Sequence, residues 1–379
     1  MPPGAPAAMG HSLKLEAITH RFGEFVAVRD IDLDIAAGEL VALLGPSGCG
    51  KSTLLRIVSG FLAQSAGRVL FDGEPVDHLP PNRRGVGIVF QNYALFPHMT
   101  VAENVAYGLH ARGTPRQAVR ARVDEMLELV HMSALADRLP RQLSGGQQQR
   151  IALARCLAVQ PKILLLDEPF GALDKNLRLD MQIEVKRLQR ASGVTAIMVT
   201  HDQEEALSMA DRIAVMNHGV IEQVSPPTEV YDRPSSLFVS QFVGTTNVLP
   251  GRVATCDGAR ADVTLADGTR IACEATVRAA VGEDVLVSVR PERLALRGAP
   301  GDGAIPATVK VVLPLGPVVV YEAETQAGQP MKISAPREGG ARLLEPGARV
   351  YVAPAAPDAA RLFRPAASRA GSSGTRAAS

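Results

Sequence analysis

The stretch Gly45-Pro46-Ser47-Gly48-Cys49-Gly50-Lys51-Ser52-Thr53 constrains this chain more than any other. It fits G-x-x-x-x-G-K-[ST], with Gly45, Gly50, Lys51 and Ser52 in the fixed places. An apolar strand, Glu39 to Leu44, precedes it, and a helix-like run, Thr53 to Val58, follows. Glycines let such a loop curl until its N–H groups converge on a phosphate at the helix N-terminus, where the dipole also favours an anion. Lys51 would neutralise β- and γ-phosphate oxygens, and the Ser52 hydroxyl would ligate Mg²⁺.

Composition narrows the class. At 379 residues the chain has room for two or three domains, each with its own core. A net charge of +1 argues against a nucleic-acid partner held by a basic surface. The cysteines Cys49, Cys156, Cys256 and Cys273 lack metal-ligand spacing, and reduced thiols in a cytosolic protein fit best. No apolar run approaches the length a spanning helix needs, and Met1 to Gly10 lacks the basic start of a secretory signal. Service to a membrane process would then be from its surface, through partners.

Along the chain, Leu13 to Ile18 and Ile31 to Ile35 alternate as two short strands. Between them Phe22 either stacks on a nucleobase or packs in the core of an edge sheet. Arg68 to Phe71 and the Asp72-Gly73 turn read as a hairpin. A buried strand, Val86 to Phe90, runs into Gln91, and Tyr93 to Met99 is a loop of exposed-looking apolar and aromatic residues. Val119, Val123, Met126, Leu127 and Val130 share one helical face, with Arg116, Arg120 and Arg122 on the solvated side. Ser144 is a natural N-cap for a helix running to about Val159, whose Gly145 and Gly146 leave amides unshielded. The run Ile163 to Leu166 ends in Asp167-Glu168, and Val194 to Thr200 delivers His201. Such buried strands alternating with helices mean a parallel sheet with functional loops at its carboxyl ends. Past Pro226-Pro227 short strands with turn signals imply an all-β module, barrel or sandwich.

Taken together, the phosphate loop, Gln91, Leu143-Ser144-Gly145-Gly146-Gln147, Leu164 to Glu168, Gly171 to Asp174 and His201 resemble the full motif set of ABC-transporter ATPases. The β-module is similar to the TOBE domain of importer ATPases, through Ser288-Val289-Arg290-Pro291-Glu292. Departures are small: Phe22 where many relatives carry Tyr, and Gly171 where Ser is common. The resemblance implies an α/β P-loop ATPase domain, a RecA-like core plus a helical subdomain at about 92–160, over residues 13–244. An all-β OB-like TOBE domain would follow at 245–365, with a disordered lead-in at 1–12 and tail at 366–379.

It also implies roles. Asp167 would hold Mg²⁺ directly or through water, Glu168 would act as general base, and His201 would contact the γ-phosphate and keep Glu168 in place. Gln91 would touch Mg²⁺ or the attacking water. The signature segment would close over ATP held by a second copy in a head-to-tail homodimer, with Ser144, Gly146 and Gln147 acting in trans; Gly145 and Asp174 also count among the nucleotide-binding residues. Two membrane permease subunits would dock near Tyr93 to Met99, where Leu95, Phe96 and Met99 either take a helix or pack between subdomains. The chain itself would sit peripherally at the cytoplasmic face of the inner membrane, and an extracytoplasmic substrate-binding protein would act on it only indirectly. The wording of His201 to Ala206 and Phe242 to Asn247 points to polyamine import, with 2-aminoethylphosphonate, iron(III) or sugar import as alternatives. A soluble ABC ATPase acting on nucleic acid or ribosomes is the other class. It would carry paired ATPase modules or long coiled-coil insertions, and neither is seen.

Overall fold

The computed structural model describes residues 10–171, 175–337, 343–356 and 358–365. Most of the expected lead-in, the whole of the tail and the Ala172, Leu173 and Asp174 positions lie outside the described residues. Two compact units divide at Pro234/Ser235, earlier than the boundary after 244 expected from sequence.

The first unit begins with β1 (Leu13–Phe22), β2 (Phe25–Ile35), β3 (Leu40–Leu44), α1 (Lys51–Ser59), β4 (Ala66–Phe71) and β5 (Glu74–Pro75). After β6 (Val86–Val89) come the helices α2 (Val101–Ala111), α3 (Arg116–Leu129) and α4 (Gly145–Ala158). The unit ends with β7 (Ile163–Asp167), α5 (Lys175–Ser192), β8 (Thr195–Thr200), α6 (Gln203–Met209), β9 (Arg212–Asn217), β10 (Val220–Ser225) and α7 (Pro227–Asp232).

The two short strands expected at the start are one long antiparallel hairpin, β1 with β2, broken by register shifts. At one shift Ala17 adopts φ 48°, and Gly67 of β4 passes so close that an added Cβ would lie 2.4 Å from the Ala17 carbonyl oxygen. Only glycine fits that crossing. Asp72 and Gly73, both at positive φ, make the tight turn that returns β4 into β5.

The second sheet has the order β10-β9-β3-β8-β7-β6, and every pairing is parallel except the β9–β10 hairpin. All five residues of β3 and all six of β8 are buried, as an apolar run covered on both faces demands. Leu43, Leu165, Ile197 and Val199 join Leu54, Ile57 and Val58 of α1 in one core with the inward residues of β1 and β2.

Two arginines tie helices down from their carbonyl ends. Arg84, 3% exposed, donates through Nη1 to Ile57 O (2.8 Å) and Val58 O (3.1 Å), and through Nε to Leu79 O (3.0 Å). It thereby satisfies the last carbonyls of α1. Arg122, expected on a solvated face, instead donates to Ala158 O (3.2 Å) and Leu157 O (3.0 Å) at the end of α4. Its charge complements that helix terminus, which the amphipathic pattern alone did not register.

The second unit opens with α8 (Leu237–Phe242) and continues as β11 (Asn247–Cys256), β12 (Arg260–Leu265), β13 (Arg270–Ala275) and β14 (Asp284–Val289). Then come β15 (Leu294–Arg297), β16 (Ile305–Pro314), β17 (Val318–Thr325), β18 (Pro330–Pro336), β19 (Arg349–Pro354) and β20 (Ala360–Phe363). It resolves the barrel-or-sandwich alternative into a closed barrel, β11-β12-β13-β20-β14, beside a five-stranded sheet, β15-β19-β16-β17-β18. Asn247 joins them, donating to Val289 O (3.2 Å) and Lys332 O (2.8 Å) and accepting from Lys332 N (2.7 Å).

Replacing Arg84 by Met keeps the stem but strands buried carbonyls, a loss of about 2–4 kcal/mol. Denaturant unfolding followed by helical circular dichroism, which reports the first unit, should show a lower midpoint; an unchanged midpoint would contradict the capping role.

Candidate active site

Strand β3 hands the chain to the Gly45–Gly50 loop at the carboxyl edge of the parallel sheet, and α1 begins at Lys51. Close approach fixes two of the glycines. A Cβ on Gly45 would lie 2.4 Å from Met216 O, and one on Gly50, at φ 106°, 2.7 Å from Ala27 O. Gly48, at φ 80°, faces open space. Gly219 backs the loop, its N–H donating to Cys49 O (3.1 Å) while its carbonyl accepts from Arg29 N (2.8 Å).

The start of α1 has no capping side chain and no acidic residue in its first turn. Its leading amides are therefore available to an anion, and a triphosphate fits them. Lys51, 6% exposed, folds back to donate to Gly45 O (2.7 Å) and Pro46 O (3.0 Å). Those carbonyls hold an ammonium that a phosphate would otherwise hold. Ser52 is exposed beside it, with Thr53 half-buried.

Parallel pairing brings the other groups to the same edge. Leu44 pairs with Thr200, and Asp167 pairs with Val199. Glu168 takes φ 47° while its N–H donates to Val199 O (2.9 Å). That turn presents its carboxylate to His201, whose Nδ1 lies 3.0 Å from Glu168 Oε1. Burial raises the Asp167 carboxyl pKa, as does the Glu168 charge, while Arg56 and Lys51 pull it down. The Asp167 carboxyl, with the Ser52 hydroxyl and the Gln91 amide, supplies hard oxygen donors that suit Mg²⁺. Among the described residues no group of three His, Cys, Asp or Glu side chains could cage a metal alone.

Gln91 sits against the Glu168 turn: its Nε2 is 3.0 Å from where a Cβ on Gly171 would stand. Phe22 closes the β1–β2 hairpin opposite Phe25, with exposures of 51% and 64%, so the core-packing alternative is ruled out. His20 meets the Phe22 ring edge-on at 4.6 Å.

Ser144 and Gln147 cap their own helix, Gln147 N donating to Ser144 Oγ (3.4 Å) and Ser144 N to Gln147 Oε1 (2.9 Å). Gly146 packs α4 on α5, with Met181 Sδ 3.2 Å from an added Cβ. Within the described residues none of the Ser144–Gln147 segment hydrogen-bonds to the phosphate loop. Tyr93, expected exposed, is buried; Leu95, Phe96 and Met99 are half-buried.

One supporting network escaped the sequence reading. Thr200 Oγ1 donates to Glu205 Oε2 (2.6 Å) and accepts from Asp202 N (2.9 Å), and Asp202 caps α6. Arg178 Nη1 reaches Asp202 Oδ2 (2.8 Å). Together these four pin the backbone on both sides of His201. The Asp202-x-x-Glu205 spacing was the available signal.

A glycine-cornered strand-to-helix loop facing a carboxylate pair across parallel strands defines a phosphate-loop nucleotide hydrolase. Comparison with known proteins gives its kind. The ABC transporter family matches residues 28–171 and the TOBE domain family residues 287–363. The spermidine/putrescine import ATP-binding protein PotA of Rubrobacter xylanophilus is 48% identical over 92% of this chain and 92% of its own length. The PotA of Roseobacter denitrificans is 47% identical, covering 88% and 92%. The sulfate/thiosulfate import ATP-binding protein CysA of Thermosynechococcus vestitus is 44% identical, covering 90% and 96%. Among solved structures, cbiO1 of Clostridium perfringens, part of the ABC transporter complex cbiONQ, superposes with a TM-score of 0.55 at 33% identity, covering 61% of this chain and 92% of that one.

The chain belongs to the ATP-binding subunits of ABC importers that carry a TOBE domain. It is an ATPase coupled to transport, with ATP as substrate and Mg²⁺ as cofactor. Such a subunit works in association with a membrane, beside permease and substrate-binding partners. No helix among the described residues is long and apolar enough to cross a membrane.

The thiols give a direct probe of the loop. Burial raises the Cys49 pKa despite Lys51, and pushes Cys156 up to about 11 and Cys273 to about 12. Cys256 is half-exposed. At pH 8, iodoacetamide should label Cys256 about tenfold faster than the other three, since the thiolate is the nucleophile and must be reached. Mass spectrometry finding Cys49 labelled as fast as Cys256 would show the loop open rather than packed.

Proposed function

We propose that this chain is the energy-coupling ATPase of a polyamine importer, working as a homodimer at the cytoplasmic face of the membrane. The observation that carries the catalytic part is the shared edge of β3, β7 and β8, which gathers Lys51, Asp167, Glu168 and His201. The polyamine assignment is supported by the PotA relatives, similar to this chain over nearly its whole length.

The free amides between Ser47 and Thr53 receive the phosphates. Lys51 exchanges its two carbonyl partners for phosphate oxygens, so its charge is spent on the ligand. Mg²⁺, when bound, neutralises phosphate oxygens and orients the leaving group. Ser52, Asp167 and Gln91 hold it. Glu168 accepts the proton of the attacking water on the carboxylate oxygen not paired with His201. The contact with His201 Nδ1 aims that carboxylate, and the other ring nitrogen turns toward the γ-phosphate. Phe22 offers an exposed face on which adenine stacks. Ser144, Gly145, Gly146 and Gln147, with Asp174, complete the partner's site, so closure needs two nucleotides and two chains. Leu95, Phe96 and Met99 take a permease helix.

A sulfate importer is the second reading, because the CysA relative is 44% identical over a similar span. Uptake of labelled putrescine by a polyamine-import-deficient bacterium supplied with the chain and its neighbouring permease and receptor genes tests the first reading. Sulfate uptake without putrescine uptake would transfer the assignment to the second.

Glu168→Gln should keep ATP binding while turnover falls about a thousandfold, the scale of losing a general base. Light scattering with Mg-ATP should then give twice the chain mass; a monomer would count against the closed dimer. Lys51→Ala should weaken ATP binding about a hundredfold, the loss of charge-assisted contacts, in a calorimetric titration.

A further inference from the structure

Helix α4 is capped by Ser144 and has Arg155 in its last turn. Arg155 Nη1 donates to Ala94 O (2.7 Å) and Nη2 to Tyr93 O (3.0 Å). Those two residues are consecutive, lack glycine's freedom, and both take left-handed backbone, φ 61° for Tyr93 and 47° for Ala94. L-residues disfavour that region, so a pair of them persists only where the surroundings hold it. The turn's internal bonds are Tyr93 N to Phe90 O (2.8 Å) and Ala94 N to Asn92 O (2.7 Å). Gln91 lies inside this turn.

The same helix grips the chain just before Gln91 as well. Cys156 Sγ donates to Ile88 O (3.1 Å), at the end of β6. Neighbouring residues of α4 thus clamp the backbone on both sides of Gln91. The guanidinium also lies over the Phe96 ring, 5.5 Å from its centroid. On the far side Gln91 rests against Gly171 and the Glu168 turn. Arg155 touches neither phosphate loop nor carboxylate pair, so it serves no part of the chemistry directly.

We propose that Arg155 is the positioning residue for Gln91: its forked contact with the Tyr93 and Ala94 carbonyls makes the position of Gln91 depend on the helix that begins at Ser144. A planar fork presents its two donors to successive carbonyls in one fixed geometry, whereas an ammonium is a point charge on a flexible stem and leaves their orientation free. The proposal rests on the reading of Gln91 as a group acting at Mg²⁺ or the attacking water. It adds a physical link, inside one chain, between the segment that completes the partner's site and the glutamine of its own.

The test is a double-substitution cycle on the full-length chain, reading kcat and KM for Mg-ATP. Arg155→Lys should lower kcat about tenfold, the order of a sub-ångström misplacement, and leave KM within about twofold. In a Gln91→Ala background the same change should have no further effect on kcat. If the lysine chain does not fold, Arg155→Gln, whose amide reaches one carbonyl, takes its place in the cycle. Effects of the two substitutions that multiply, or an Arg155 variant with unchanged kcat, would overturn the proposal while leaving Gln91 its role. A silent Gln91→Ala would remove that role, and the proposal with it.

Discussion

Everything at the site depends on the register of three parallel strands. Leu44 stands beside Thr200, and Asp167 beside Val199, so the three chain segments leave the sheet at one level. A slip of one residue in β7 would turn Asp167 to the opposite face and carry Glu168 away from His201. The register is protected by burial. Strands covered on both faces lose apolar contact on either side when displaced, and β3, β7 and β8 are buried through nearly their whole length. The catalytic geometry is therefore stabilised by hydrophobic residues that never meet the nucleotide.

The same logic explains how much could be read from sequence. Apolar runs ending in Gly45, in Asp167-Glu168 and in His201 carry their own boundary signals, and each proved to be a strand with its polar end at the functional edge. The Ser144 N-cap and the Asp72-Gly73 turn were equally legible because their cause is local: a side chain reaches its own backbone, or a glycine takes positive φ. Length was harder. The first hairpin runs past its alternating core into polar residues, where register shifts break the period of two that marks a strand.

What escaped were long polar side chains acting across the fold. Arg84, Arg122 and Arg155 all donate to backbone carbonyls distant in sequence, and nothing in helical periodicity separates such an arginine from one on a solvated face. Each answers a deficit that only the assembled structure reveals: helix C-termini with unpaired carbonyls for the first two, a left-handed turn for the third. Tyr93 was misjudged for a related reason. Its loop composition suggested exposure, yet the turn that Arg155 holds folds the ring inward.

The Ser144 helix gives the proposed dimer its physical basis. Its capping box satisfies the N–H groups of Ser144 and Gln147 through each other's side chains. The amides of Gly145 and Gly146 come between, in the first helical turn, where no carbonyl of the helix can reach them. Gly145 is half-buried and Gly146 buried, and the packing of Gly146 on Met181 and Leu177 fixes the direction in which its amide faces. Amides held in place without a helical carbonyl or a capping side chain gain nothing in an isolated chain. They gain a charge-assisted partner only when a phosphate is brought to them, and in the proposed dimer that phosphate arrives with the other subunit.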